Sequence, residues 1–347
     1  MVARRNRSGG TDGVRRLPQR SLILKAPVVR RWQGMQPRLR HRRRLSMLTI
    51  PIGLLLLSAS PVAAQTTTQV GDTTLTVLEA IILGLVEGIT EYLPVSSTGH
   101  LLVTNNLLGL EEPGVKEAIE TYAICIQLGA IIAVLFLYWG RIRQMLDGLI
   151  GRDDEGRRVL IAVLISFFFT GVIGLTLGEW FEDNLFGVGP IAAAWIVGGI
   201  AIIVLSRTGF FDRTTAELVA LTPQKAAIIG VLQAVAMWPG VSRSMITIFA
   251  AVLVGLSLRA AVEFSFLLGL ITLTAATMLV GYRGGGELVD TFGYVTPLIG
   301  LVVAFVSAMA AVKWMVAWLN DRGFELFGWY RVAVGVLALV LLAVGAV

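Results

Sequence analysis

The chain has 347 residues, 55% of them hydrophobic, with a mean hydropathy of +0.77 and a formal net charge of +6. That composition excludes an ordinary soluble domain, and apolar runs of about 17–25 residues, long enough to cross a bilayer core, recur along it. The positive charge does not imply nucleic-acid binding: residues 1–46 hold 14 Lys/Arg against one acid, Asp12, whereas the remainder holds 15 Lys/Arg against 22 Asp/Glu.

The basic stretch 1–46 reads as a disordered extension, and Arg-rich tails beside membranes are usually topological or lipid-facing. It leads into "MLTIPIGLLLLSASPVAAQ" (Met47 to Gln65). A basic flank, a short apolar core and small residues before Gln65 match a secretory signal cleaved after Ala64; an anchor helix is the other reading of 47–64. A translation start at Met47 would make 1–46 dispensable. Residues 65–74 read as a polar linker, and a membrane domain is expected over 75–347.

Within that domain, apolar runs lie near 75–92, 121–139, 159–178, 188–206, 225–238, 244–257, 262–282, 294–318 and 329–347. The runs 75–92 and 225–238 are interrupted or short. The single cysteine, Cys125, allows no internal disulfide, and two histidines, His41 and His100, do not make a zinc site. The loop Gly140–Arg158 carries five arginines and Ser206–Arg213 carries two, whereas Glu179–Gly189 has acids and no Lys/Arg. Positive-inside bias puts the first two in the cytoplasm and the third outside, so the segment after His100 lies toward the outer face.

Two stretches resemble each other, "ILGLVEGITEYLPVSSTGH" from Ile82 and "IIGVLQAVAMWPGVSRSMIT" from Ile228. Gly84 matches Gly230, Glu87 matches Gln233, and Glu91 matches Met237. With a one-residue gap, Pro94 matches Pro239 and Ser97 matches Ser242. Paired interrupted segments in two halves point to a site between structural repeats. The expected fold is therefore an all-α polytopic membrane protein, with transmembrane helices plus two re-entrant or broken helices in inverted-topology repeats.

The first interruption places Gly84 and Gly88 on a face that permits close helix packing. Glu87 and Glu91, also four apart, share a face and repel each other. In a bilayer that pair is tolerable if a proton, a metal ion or a cationic side chain sits between them. Pro94 biases Leu93 away from helix, and Ser96, Ser97 or Thr98 can cap a new helix running through His100. In the second interruption, Pro239 and Gly240 stop a helix, and Ser242 or Ser244 caps the next. Arg243 stands in that helix's first turn, with Thr247 one turn on; a helix N-terminus plus an Arg fork suits phosphate oxygens. Gln233, in the place of Glu87, can line the same site.

Together these residues suggest metal-assisted phosphoryl transfer on a lipid diphosphate. Glu87 and Glu91 would hold Mg²⁺ or Ca²⁺. His100 or a serine would act as nucleophile, or as acid and base for a water. Blander readings stand beside these. Ser97 and Ser242 cap as readily as they react, and Arg259 with Glu263 reads as a structural pair. Lys313, Arg322 and Arg331 read as interface anchors, and 153–155 as a solvated loop.

"EGITEYLPVSSTGH" and "PGVSRSMIT" resemble the two signature motifs of the undecaprenyl-diphosphate phosphatase family, the bacitracin-resistance proteins, and the likeness extends over about 75–347, through "IQLGAIIAV" and "EFSFLL". The resemblance implies hydrolysis of undecaprenyl diphosphate to the monophosphate and inorganic phosphate, recycling the carrier lipid of peptidoglycan synthesis. It implies a divalent-cation requirement and a multi-pass protein of the bacterial inner membrane, with its site toward the periplasm. By motif position, Glu87 and Glu91 would be metal or base carboxylates and Ser97 and His100 the nucleophile candidates. Ser242, Arg243, Ser244, Thr247 and Gln233 would hold the diphosphate. The partners implied are a polyprenyl diphosphate lipid and the membrane, with no nucleic acid and a homo-oligomer left open. Met245-Ile246 stands where members often have Gly-Ala, which bears on the width of the phosphate pocket. Ile271 stands where many have proline, which bears on the kink of that helix.

A secondary transporter or lipid flippase is the alternative, because broken helices in inverted repeats are also a transporter architecture. A second lipid phosphatase class has "PSGH" where this chain has "SSTGH", but needs a later histidine, and none follows Arg243. A non-catalytic lipid-binding or bacitracin-shielding protein is the third reading.

Overall fold

The computed structural model describes residues 75–110 and 116–347; the expectations for 1–46, 47–64 and 65–74 lie outside the described residues. The described residues form helices joined mostly by short turns, with one longer connection, 208–222, that holds two 3₁₀ turns and a bridge from Ala216 to Leu256. Six helices are long and apolar enough to cross a membrane: α3 (Lys116–Leu137), α5 (Asp154–Leu185), α6 (Val188–Arg207), α9 (Leu258–Phe292), α10 (Val295–Arg322) and α11 (Glu325–Ala343). Large apolar side chains on their outer faces, such as Phe136 and Leu175, are exposed, as a lipid-facing belt requires.

Two pairs of shorter helices sit among the six. α1 (Val77–Thr90) breaks before α2 (Ser97–Leu108), and α7 (Pro223–Gln233), extended by the 3₁₀ turn Ala234–Met237, breaks before α8 (Arg243–Leu253). The run 244–257, expected as a span, is this half-helix instead. Its 11 residues reach about 16 Å at 1.5 Å each, roughly half a hydrocarbon core. The apolar-run reading overshot because buried half-helices and spanning helices are equally oily. Three long helices, α3, α5 and α6, separate the two pairs. An odd number of crossings makes the pairs enter from opposite faces, which is the inverted topology expected.

Local chemistry sets the ends of the broken helices. A capping box starts α1: Glu79 N–H donates to Thr76 Oγ1 (3.2 Å) and Thr76 N–H to Glu79 Oε2 (2.7 Å). α1 ends at Glu91, its C-cap, three residues before Pro94. Thr222 caps α7, with Pro223 in its first turn. The most telling feature is shared by both breaks. Ser96 (φ 74°, ψ 102°) and Ser242 (φ 75°, ψ 112°) are the N-caps of α2 and α8, and among the described residues they are the only non-glycine residues with positive φ. Such a backbone is uncommon outside glycine and concentrates at functional sites.

That coincidence corrects the alignment of the repeats. Ser96 and Ser242 lie 146 positions apart (242 minus 96), and so do Gly84 and Gly230, and Glu87 and Gln233. No gap is needed: Pro94 corresponds to Gly240 and Ser97 to Arg243, rather than to Pro239 and Ser242. A gap superimposes the prolines, but either position can stop a helix; the shared feature is the N-cap backbone. The glycine pair fits the same register. A Cβ on Gly84 would run into the Gly300 backbone of α10, and one on Gly230 into the Ser166 backbone of α5. The expected small-residue face of α1 is borne out by Gly88 as well, which lies against Ala304, Ser307 and Ala308.

α10 packs on α1 and α3, α9 on α3 and α8, α5 on α7, and α11 on α6. The largest apolar cluster runs through both breaks and includes Leu93, Val95, Val241 and Met245. Met245 therefore belongs to the core, and α9 runs unbroken through Ile271. On the side where the arginine-rich segments lie, the stretch after α3 is not a plain loop. It holds the amphipathic helix α4 (Trp139–Leu149), whose Arg141 donates to Glu263 (Nε, 2.6 Å) and Glu155 (2.9 Å). Glu263 thus has a cross-helix partner that the i,i+4 reading with Arg259 did not anticipate.

Candidate active site

The two breaks meet, and the meeting point is an ion pair. Glu91, at the end of α1, accepts a hydrogen bond from Arg243 Nη2 at 2.8 Å, with the two side chains 6% and 13% exposed. The other Glu91 oxygen accepts the hydroxyl of Ser97 in a short hydrogen bond. Arg243 Nη1 donates to the Ser265 carbonyl of α9 at 3.0 Å, and its guanidinium carbon lies 5.2 Å from the centre of the Tyr92 ring. One carboxylate therefore links a hydroxyl from the first half to a guanidinium from the second. The question posed by the acid pair has a partial answer: a cationic side chain satisfies Glu91.

Glu87 is different. It is buried, and its Oε1 has no hydrogen-bond partner among the described residues. Tyr92 Oη and Arg243 Nε are orphaned in the same way. Buried polar groups in native proteins are nearly always paired, so orphans gathered round one ion pair mark where a ligand or ion belongs. An open carboxylate oxygen beside a second carboxylate is a donor set that fits a hard cation with oxygen ligands. Among the described residues no cluster of three or more His, Cys, Asp or Glu accompanies it, so protein ligands beyond the two glutamates are not provided by those residue types.

Ser96 makes no side-chain cap, so the first-turn N–H groups of α2 are not capped by it. α8 differs, because Ser242 Oγ accepts Met245 N–H at 3.3 Å. Ser242 therefore caps, and it also shares a hydrogen bond with Ser244 (3.0 Å). Ser244 Oγ donates to the Leu93 carbonyl (2.8 Å), tying the second half to the first break. Thr247 Oγ1 lies 2.8 Å from the Arg243 carbonyl and 2.5 Å from Ser265 Oγ. Ser244 and Thr247 are fully buried, and their hydroxyls engage the Leu93 and Arg243 carbonyls. Gln233 is buried too; its Nε2 donates to Thr170 Oγ1 (3.0 Å), and its Oε1 has no partner among the described residues.

His100 faces a different set of groups. Its Nδ1 lies 2.6 Å from the Ser96 carbonyl and its Nε2 2.8 Å from Tyr330 Oη, and its ring stacks on Tyr330. A carbonyl only accepts, so Nδ1 carries the proton and Nε2 of the neutral ring receives the Tyr330 hydroxyl. Both nitrogens are engaged, and neither bonds Glu91 or Arg243.

Several residues of this site were not singled out from the sequence. Tyr92, Ser265 and Tyr330 lie in apolar runs and carry no local signal. Arg331 was read as an interface anchor, and the structure overturns that: it is fully buried. It stands six residues into α11, about 9 Å along the axis, where an intramembrane arginine signals function.

Comparison with known proteins adds a separate line. The family profile described as "Bacitracin resistance protein BacA" matches residues 80–337. A Sorangium cellulosum protein named undecaprenyl-diphosphatase is 41% identical over 264 residues, covering 75% of this chain and 85% of its own. Its namesake from Bradyrhizobium sp. strain ORS 278 is 40% identical over 269 residues, 77% of this chain and 98% of the relative. Undecaprenyl-diphosphatase 1 of Acinetobacter baylyi is 36% identical over 272 residues, 78% and 97%.

Proposed function

The chain belongs to the bacitracin resistance protein BacA family, and from that membership we infer that it hydrolyses undecaprenyl diphosphate to undecaprenyl phosphate and inorganic phosphate. This recycles the carrier lipid for peptidoglycan synthesis and underlies bacitracin resistance. The transporter or flippase reading is not favoured: the relatives are named for hydrolysis, and the site carries a hydroxyl on a carboxylate, which transport does not need. The multi-pass protein is assigned to the bacterial inner membrane, with the site opening outward. The support is the charge asymmetry, with arginines concentrated in 140–158 and 206–213.

The observation that carries the mechanism is the Ser97–Glu91–Arg243 chain. Ser97 is assigned as the nucleophile, since its hydroxyl already donates to a carboxylate, whereas both nitrogens of His100 are engaged elsewhere. Arrival of the diphosphate draws the Arg243 guanidinium toward phosphate oxygens and frees Glu91 to act as base. Ser97 Oγ bonds to the terminal phosphorus as the bond to the bridging oxygen breaks. Its proton passes by way of Glu91 to the departing undecaprenyl phosphate. A water then attacks the phosphoserine, gives its proton to Glu91, and Glu91 returns a proton to Ser97 Oγ as phosphate leaves. The uncapped N–H groups of α2 suit the phosphate oxygens. Glu87 and Glu91 would hold a divalent cation, Mg²⁺ or Ca²⁺, which when bound neutralises charge on the diphosphate. Ser242, Ser244 and Thr247 support Arg243 from behind, and Gln233 is the remaining candidate for a diphosphate contact.

Purified protein in detergent with undecaprenyl diphosphate and Mg²⁺ should release inorganic phosphate, and EDTA should stop it. No release from wild-type protein would sink the hydrolase reading, and full release in EDTA would remove the cation. For Ser97→Ala we expect a loss in kcat of about 10²–10⁴-fold, the range for groups taking part in proton transfer and covalent steps. Acid-quenched wild-type enzyme given substrate labelled in the terminal phosphate should carry acid-stable, alkali-labile label that the variant lacks. Label that survives an alkaline quench but not the acid quench would move the nucleophile to His100.

A further inference from the structure

Among the described residues Arg331 is the one fully buried arginine, and no chemistry described so far uses it. Among the described residues it makes no salt bridge; its partners are backbone carbonyls. Nη1 donates to Pro94 O (3.2 Å), and Nη2 donates to Gly240 O (2.8 Å) and Ala194 O (2.9 Å). Pro94 and Gly240 are equivalent positions of the two repeats, 146 apart, like the N-cap serines. Each lies three residues before a reacting side chain, Ser97 in the first half and Arg243 in the second.

The surroundings are shaped for this guanidinium. Gly198 of α6 faces it, and a Cβ there would fall on the guanidinium group. α6 also supplies Trp195, whose Nε1 donates to Val95 O (2.8 Å), next to Pro94. The packed pair α6–α11 is thus a plate on which both breaks rest. Broken helices inside a membrane leave carbonyls with no intrahelical partner and no water to take their place. A planar fork can reach carbonyls on two chain segments at once, while a lysine nitrogen, a compact point on a flexible stem, does so with less directional control.

We propose that Arg331 is a positioning residue for the hydrolysis: its guanidinium clasps the Pro94 and Gly240 carbonyls and so fixes Ser97 and Glu91 in register with Arg243. It touches no reacting atom. It acts on the distance between the half that carries the nucleophile and the half that carries the phosphate clamp. Loss of the clasp therefore weakens the chemical step more than binding, because each half keeps its own groups. The kinetic part of this proposal rests on the hydrolase reading.

The test uses full-length protein in detergent, with Arg331→Met, Arg331→Lys and Gly198→Ala. Arg331→Met should lower kcat about 100-fold with KM within about threefold, the size expected when reacting groups are misplaced by about an ångström. Arg331→Lys should recover part of that loss, and Gly198→Ala, which displaces the guanidinium but keeps it, should fall between. Hydrogen exchange supplies a readout that needs no turnover. In Arg331→Lys, amides at both breaks, 93–97 and 239–243, should exchange faster together while those of α3 do not. Loosening of both breaks supports the clasp even if wild-type protein released no phosphate, so failure of the hydrolase reading is separately visible. Wild-type kcat in Arg331→Met, a change confined to KM, or loosening of one break alone would overturn the proposal. So would failure of all three variants to give monodisperse protein, which would make Arg331 a folding determinant.

Discussion

Arg243→Ala should lower kcat/KM for undecaprenyl diphosphate by about 10³–10⁵-fold, the largest effect of any single substitution in this protein. The range is that of an arginine stabilising transferred phosphoryl charge. Two further losses follow from the geometry. Glu91 would keep its charge while losing the partner 2.8 Å away, and breaking a buried pair from one side costs about 3–5 kcal/mol. The Ser265 carbonyl and the Tyr92 ring would lose the group they hold. The variant should therefore melt at a lower temperature as well as turn over more slowly. Arg243→Lys separates the two effects: it keeps a charge near Glu91 but has no fork to serve both Glu91 and Ser265. It should recover much of the stability and little of the activity. Activity within tenfold of wild type in Arg243→Ala would remove the arginine from the phosphate clamp.

Glu91→Gln is the second large effect, and it is nearly isosteric. It should lower kcat by about 10²–10⁴-fold, the loss of a general base. The amide oxygen can still accept from Ser97 or from Arg243, but it cannot take a proton at neutral pH. The double variant Glu91→Gln with Arg243→Ala should be little worse than Arg243→Ala alone, since residues acting as one unit are strongly non-additive. Steady-state kinetics of the two single variants and the double variant measure this directly. Multiplying losses would mean that the two residues act independently, against their direct bond.

Much of this was visible in the chain. Apolar runs showed a membrane protein because span length is fixed by bilayer thickness. Glu87 and Glu91 showed themselves as an acid pair because helical spacing is local, and Arg243 beside "PG" because both features lie within a few residues. The match of Gly84 and Glu87 with Gly230 and Gln233 already lay in the register that the fold uses. Across the break the prolines do not correspond: the chain superimposes the backbone of Ser96 on that of Ser242. Side-chain identity does not report φ, so the sequence could not choose between the two registers.

The sequence by itself determined the six long spans, the breaks and the residue types gathered at them, since each depends on local spacing, but not that 244–257 is a half-helix. Only the tertiary structure decided which carboxylate holds Arg243 and which remains open, and that Ser97 rather than His100 touches Glu91. It alone showed that Ser244 and Thr247 face the backbone, and that Arg331 is a buried clasp and not an anchor. The pairings that join the two halves, Glu91 with Arg243, Ser244 with the Leu93 carbonyl and Arg331 with the Pro94 carbonyl, lie 152, 151 and 237 residues apart, and they follow from how the half-helices pack against α6, α9 and α11, not from any local pattern.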